Sequence, residues 1–375
     1  MNTNNYKERD SNIELLRCLL MFMIMCCHIK AHGLRFINET ITPMEAFMSS
    51  FNWSGSVANY CFMLISGFYL SSRKFSWRKE GKIYVQLWFY SSIFGLYLYL
   101  KQCNIYPQGL IIDSNSVPKI MDKKHLIASF LPFLTNQNWY ASAYLIFYPL
   151  SIYANKLLQN LERKEHFNLC IILIIISAGL SSIPLQKAFD PDYLIYFFTF
   201  YFIANYIKKY NPSCFNNFRK NLIISICLIS FFVLWANGIY YVSKCIEFVS
   251  NNYNFFVSLI INDLLKVITA IYIFCTFREL KLKQNKIINL IGGCTFGIYL
   301  IHNNRTFKHY MWFELFNTQS YIESVYLPLY CLSCVVILFV IGTLIELVRQ
   351  KFFVLLKVII NKLFLEKNIN KFNNS

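Results

Sequence analysis

Apolar residues in this chain are not spread at a strand or surface-helix period. They run in blocks long enough to cross a bilayer, cut by short polar connections rich in lysine and arginine. Blocks near residues 13–31, 56–72, 83–101, 139–157, 168–184, 193–207, 221–239, 255–277, 287–303 and 324–348 predict about ten transmembrane helices. Hydrocarbon offers backbone groups no hydrogen-bond partner, so segments of this kind must satisfy themselves as helices. The pattern predicts an all-α polytopic membrane protein with a single bundle over residues 1–350. A basic, polar tail over 351–375, disordered by composition, is expected to follow. The longest connection, 102–138, holds one short apolar stretch at 126–134 (LIASFLPFL), too brief to cross, which predicts an interfacial or re-entrant piece. No useful internal repeat is visible, which weakens an inverted-repeat transporter reading.

Composition agrees: 56% of residues are hydrophobic and only 15% charged, far from the balance of a soluble domain. The formal net charge of +17 at first suggests a nucleic-acid partner. Its distribution points elsewhere. With the N-terminus inside and the spans alternating, cytoplasmic segments hold 24 lysines and arginines and outer segments 10, with Arg17 and Lys266 inside spans. That bias predicts both termini in the cytoplasm and needs no nucleic acid to explain it. The first block follows Lys7 and Arg9 without a small-residue cleavage site, so it is expected to be a retained helix. Most of the thirteen cysteines fall inside spans, where they act as small apolar residues. Cys103 and Cys245 could meet outside, but spacing alone does not pair them.

The candidate chemistry begins in the first block. Arg17 and His28 are eleven residues apart, which returns a helix to within about 20° of the same face and separates the two by ~16 Å along the axis. An arginine at membrane depth costs at least ~2.5 kcal/mol on insertion scales, so it is expected to face a polar cavity. The competing reading lets Arg17 snorkel to the inner interface and His28 sit at the outer one. His32 follows His28 by four residues, a spacing that can serve zinc, but no third ligand stands nearby, so no metal is expected. An acid–base role suits His28 better, since neutral imidazole can take a proton from a hydroxyl at neutral pH. After the second block, Arg73, Lys74, Arg78 and Lys79 form a basic run that sets topology or seats phosphates. Trp139 and Tyr140 open the fourth block, where interfacial aromatics are common. Tyr299 and His302 bring a second histidine to the outer side. Asp263 and Lys266, an i,i+3 pair in the eighth block, form either a structural ion pair or part of a polar pathway.

Four stretches in order carry a resemblance to a known family: NIELLR with a histidine after ten intervening residues (12–28), FMLISGFYL and the basic run (62–79), NWYASAYLIFY (138–148) and TFGIYLIHNNR (295–305). The chain resembles the integral-membrane acyltransferase-3 family, which includes bacterial polysaccharide O-acetyltransferases. The resemblance implies a ten-helix core in the cell membrane that takes an acetyl group from cytoplasmic acetyl-CoA and passes it to a hydroxyl of a cell-surface or lipid-linked glycan. It assigns the catalytic positions to Arg17 and His28, and the acyl-CoA site to Arg73, Lys74, Arg78 and Lys79. Trp139, Tyr140, Tyr299 and His302 are the candidate acceptor-binding residues. Relatives often carry adjacent histidines where this chain has Cys27-His28, and no esterase-like domain is expected beside the membrane domain. The expected partners are the bilayer and a glycan, with no nucleic acid, and the oligomeric state is left open. The rival reading is a polytopic transporter or flippase, whose polar groups would also face a cavity.

Overall fold

The computed structural model describes residues 9–36, 41–105, 119–180 and 193–373. Its helices are, in order, α1 (Ser11–Gly33), α2 (Pro43–Ser49), α3 (Trp53–Leu70), α4 (Trp77–Leu100), α5 (Lys123–Phe130), α6 (Trp139–Asn160), α7 (Arg163–Ile174) and α8 (Tyr193–Tyr210). There follow α9 (Phe218–Cys245), α10 (Glu247–Asn251), α11 (Tyr253–Ile260), α12 (Asp263–Glu279), α13 (Lys286–Gly292), α14 (Thr295–His302), α15 (Phe307–His309) and α16 (Leu327–Asn373). Asn104–Ile105 pairs antiparallel with Lys119–Ile120, a minimal ribbon in the long connection. The sequence supplies the helix starts. Thr42, Asp122, Asn217, Asn262 and Asn285 each accept a bond from a backbone amide two or three residues on, satisfying donors that the first turn leaves unpaired. Glu162 and Glu165 form a reciprocal capping box at the start of α7.

Every expected block meets a helix among the described residues, but the blocks are not alike. Four helices are long and apolar enough to cross a membrane: Ser11–Gly33, Trp77–Leu100, Phe218–Cys245 and Leu327–Lys362. Tyr253–Leu259 and Asp263–Glu279, bent by 49°, make a fifth if they form one span. The rest are diluted or broken, for visible reasons. Helices α3 and α8 have 18 residues each and carry Ser, Gly, Asn, Tyr and Lys, because much of their surface faces other helices rather than lipid. Pro149 lies within α6, a π-turn at Ile175–Gly179 follows α7, and Gly293-Cys294 separates α13 from α14. The end of the expected block 168–184 lies outside the described residues. The tail expected to be disordered beyond residue 350 is instead the continuation of α16, one helix from Leu327 to Asn373. Leucines and lysines between 351 and 365 have high helix propensity and extend it. All thirteen cysteines are free, so Cys103 and Cys245 are not joined.

Helix α1 is central, packing against α3, α12, α13, α14 and α16. Helix α3 lies between α1, α8 and α12. It approaches α8 so closely that a Cβ on Gly67 would sit 2.8 Å from the Tyr201 Cα. Large apolar side chains on the outward faces, among them Leu234 of α9 and Leu344 and Val348 of α16, stay exposed, as lipid-facing positions would.

Candidate active site

The polar residues of NIELLR fix α1 before it enters the bundle. Ser11 Oγ donates to Asn289 Oδ1 at 2.8 Å, and Asn12 Nδ2 donates to the Phe277 carbonyl at 2.9 Å. Glu14 is buried against Gly292, where a Cβ would sit 2.5 Å from Glu14 Oε2. It lies 3.4 Å from an Arg9 guanidinium nitrogen and 3.8 Å from Arg17 Nε. Ion pairing to Glu14 therefore offsets part of the cost of Arg17, although Arg17 Nε makes no hydrogen bond.

Arg17 lines a cavity of about 280 Å³. Met21 and Ile24 of α1, Asn59, Phe62 and Ser66 of α3, Tyr140 and Tyr144 of α6, and Thr295, Phe296 and Tyr299 of α14 also line it. Arg17, Met21 and Ile24 thus present one face of α1 to the cavity, while His28, one turn further on, does not line it. Tyr140 and Tyr299 are brought together: the Tyr140 amide donates to the Tyr299 hydroxyl at 3.2 Å, and Asn303 Nδ2 donates to the same oxygen at 3.3 Å.

One turn beyond Ile24 and Tyr299, the cavity wall leads to the two histidines. His28 Nδ1 lies 3.0 Å from His302 Nε2, and His302 Nδ1 lies 2.8 Å from the Ile298 carbonyl. A carbonyl can only accept, so His302 Nδ1 carries a proton. With both rings neutral, His302 Nε2 then accepts from His28 Nδ1–H, which leaves the lone pair of His28 on Nε2. His302 is fully buried and His28 partly so. The His32 ring packs at a tilt on His28, with centroids 5.3 Å apart. Lys308, buried in α15, lies close enough to act electrostatically on all three imidazoles. Burial, with Arg305 beside it, pushes the Lys308 ammonium down to about 8. Cys27 faces the other way: its Sγ packs on Gly55 and donates to the Asn52 carbonyl at 3.5 Å. The departure from the paired histidines of relatives therefore falls outside this cluster.

The basic run is divided. Arg73 and Lys74 line a second cavity, of about 330 Å³, with Ser72, Tyr148, Asn155 and Lys156. This cavity sits one turn further along α3 and α6 than the first, since Ser66 precedes Leu70 and Tyr144 stacks on Tyr148 at 6.1 Å. Arg78 and Lys79 do not line it and stay exposed on the first turn of α4. Trp139 meets Tyr140 edge to face at 5.6 Å. It also packs on Tyr193 at 4.3 Å and lines a different cavity, with Asp263. Asp263 pairs with Lys266 at 3.1 Å and receives the hydroxyls of Tyr60 and Tyr196 at 3.4 and 3.3 Å. Among the described residues no group of three His, Cys, Asp or Glu is arranged to hold a metal.

Sequence reasoning missed the second wall of each cavity, namely Asn59 and Ser66 on α3 and Tyr144 and Lys156 on α6, and it missed Lys308 beside the imidazoles. It also missed Glu346, a buried carboxylate held by Arg349 at 2.6 Å, Tyr90 at 2.7 Å and Gln350 at 2.8 Å. The i,i+3 spacing of Glu346 and Arg349 inside an apolar block was the available signal.

A family model described as an acyltransferase domain matches residues 10–346. The match spans every element of this site, and the chain belongs to the acyltransferase-3 family of membrane acyltransferases. No curated protein and no solved structure matches it.

Proposed function

We propose that this protein moves an acyl group, in the first instance acetyl, from cytoplasmic acyl-CoA to a hydroxyl of a cell-surface or lipid-linked glycan. The observation that carries the reading is the His28–His302 contact of 3.0 Å at one end of the Arg17-lined cavity. It supports an oriented base, with its free lone pair on His28 Nε2, reached by donor and acceptor from opposite sides.

On this reading the bundle spans the membrane about ten times with both termini inside. Arg73 and Lys74, helped by Lys156, hold the donor's phosphates by charge-assisted bonds. The pantetheine arm enters the cavity past Arg17. The ~16 Å between Arg17 and His28 along α1 assigns Arg17 to that arm rather than to the carbonyl that His28 serves. The acceptor oxygen attacks the thioester carbon as His28 Nε2 takes the hydroxyl proton. The C–S bond then breaks, and the imidazolium returns the proton to the departing thiolate. Tyr299 and His302 frame the acceptor side.

The test is transfer of label from [acetyl-¹⁴C]acetyl-CoA to surface glycan by the purified protein in proteoliposomes. The expected product is a base-labile glycan ester together with free CoA. Failure to move label while glycan export is retained would transfer the assignment to the transport class.

A further inference from the structure

We propose that the Tyr299 hydroxyl is the hydrogen-bond donor that holds the thioester carbonyl oxygen as negative charge develops on it during attack. The inference rests on the acyl-transfer reading above and names the group that stabilises its transition state.

An attacked carbonyl needs such a donor, and Arg17 stands too far along α1 to supply it. From His28 Nε2 to the acceptor oxygen, and from there to the thioester carbon, each step spans ~3 Å. The carbonyl is therefore held at the histidine end of the cavity. Tyr299 is the wall residue that stands there. Its ring meets the His302 ring edge-on, with centroids 6.1 Å apart.

Other polar groups of the wall are engaged or lie deeper. Thr295 Oγ1 donates to the Gly292 carbonyl at 2.9 Å. Ser66 is bonded to Tyr144, and Arg17 acts electrostatically on Tyr140 and Tyr144, which places both hydroxyls towards the Arg17 end. Helix α3 runs antiparallel to α1, with Ser54 on the Met23 carbonyl and Tyr69 on Asp10. Asn59, five residues inward from Ser54, therefore lies ~7.5 Å closer to the Arg17 end than that contact. Lys308 acts on the imidazoles but does not line the cavity.

The surroundings of Tyr299 make its hydroxyl a donor. The Tyr140 amide and Asn303 Nδ2 donate to its oxygen at 3.2 and 3.3 Å, and Asn138 stands beside the same oxygen. A backbone N–H can only donate. With two donors on its lone pairs, the phenol has its own hydrogen left to offer, and those bonds polarise the O–H. They come from the start of α6 and the end of α14, so the hydroxyl is fixed before substrate arrives, as electrostatic stabilisation requires. In the step itself the acceptor oxygen bonds to the thioester carbon and its proton passes to His28 Nε2. The carbonyl π pair moves onto oxygen, held by the Tyr299 O–H without transfer of its hydrogen. Return of that pair breaks the C–S bond and expels the thiolate.

The test joins infrared spectroscopy to kinetics on the full chain. Acetyl-CoA carrying ¹³C at the thioester carbon reports the carbonyl stretch of the bound donor. The native protein should shift it to lower wavenumber than in free acetyl-CoA, and Tyr299→Phe, which keeps the ring, should lose that shift. In proteoliposomes Tyr299→Phe should lower kcat by ~10²–10³-fold, the usual loss of one such donor, with donor KM changed by less than about twofold. Asn303→Leu keeps the hydroxyl but removes one bond to it, and should lower kcat about two- to tenfold. A native kcat in Tyr299→Phe, or a carbonyl shift that survives the substitution, overturns the assignment and leaves the transferase standing. Should the phenylalanine variant fail to insert, an unchanged kcat in Asn303→Leu overturns the assignment instead. A shift lost in Tyr299→Phe, with no transfer to any glycan by the native protein, supports the contact and overturns the glycan acceptor. A native protein that neither binds acetyl-CoA nor transfers acetyl overturns both readings.

Discussion

His28 and His302 meet through ring nitrogens 3.0 Å apart although 274 residues separate them in the chain. Because the far nitrogen of His302 faces the Ile298 carbonyl at 2.8 Å, the pair fixes a tautomer as well as a position. Loss of His28 as base should lower acyl transfer by ~10²–10⁴-fold, the usual effect of removing a general base. Replacing His302 should act through His28. In His302→Leu, kcat should fall with little change in donor KM. His302→Gln, whose amide oxygen can still accept from His28 Nδ1–H, should retain at least about tenfold more activity than the leucine variant. Equal activity of the two variants would remove the orienting role.

The division of the basic run gives a second expectation. Arg73 and Lys74 line a cavity with Lys156, whereas Arg78 and Lys79 do not line it. In correctly inserted protein, Arg73→Gln and Lys74→Gln should each raise the KM for acyl-CoA by about three- to fivefold. That is the modest value expected where charges remain exposed to solvent. Arg78→Gln and Lys79→Gln should leave it unchanged. A uniform effect of all four would return the run to a diffuse electrostatic or topological role.

The legible part of the site is the part written in one helix. Arg17 and His28 lie on a single helical turn pattern, so their shared face followed from spacing; Arg17, Met21 and Ile24 line a cavity, and His28 meets His302 one turn beyond it. The ends of the first apolar block were legible for the same reason, 13–31 against Ser11–Gly33, whereas the seventh, expected at 221–239, runs on to Cys245. What spacing could not give is the partner of each polar group. Nothing near His302 names His28, and nothing near Asp263 names Tyr60 and Tyr196, which arrive from α3 and α8. Interruptions fall inside runs read as single spans, at Gly293-Cys294 and at the bend of 49° before Asp263, where Gly292-Gly293 and the capping pair Asn262-Asp263 were the available signals. The helical continuation beyond residue 350 shows the converse: leucines and lysines between 351 and 365 favour helix and carry it on into the polar, asparagine-rich end.

Gly297 and Glu346 supply a third prediction. A Cβ on Gly297 would overlap the Glu346 carboxylate, and that carboxylate cannot swing away because Arg349, Tyr90 and Gln350 hold it. Gly297→Ala must therefore push α14 from α16, at a cost of ~1–3 kcal/mol for overpacking. Since α14 carries Tyr299 and His302, the variant should lower both the thermal midpoint in detergent and the rate of acyl transfer. A variant with native midpoint and native rate would show that the contact between these helices yields without consequence.

The last prediction concerns pH. Burial, followed by the neighbouring charge of Arg305, lowers Lys308 from the ordinary lysine range to about 8. The charged and titratable groups that face it are Arg305 on its own segment, His28 and His32 on α1, and His302 on α14. Below about pH 8 the folded protein holds an ammonium beside the imidazoles; above it that charge is gone. Two consequences carry the same sign. The unfolded chain keeps its lysine proton to higher pH than the folded one, so stability should rise as pH rises through 8 towards the ordinary lysine value. A base that becomes an imidazolium in the transition state is also opposed by a neighbouring cation, so the acyl-transfer rate should rise over the same window. In Lys308→Met both rises should disappear, with the rate at pH 7 already near the plateau that the native protein reaches at pH 9. Rate and midpoint measured from pH 6 to 9 in native protein and variant check this. A rate that falls through pH 8 in the native protein, with the fall abolished in the variant, would show instead that the ammonium assists the reaction.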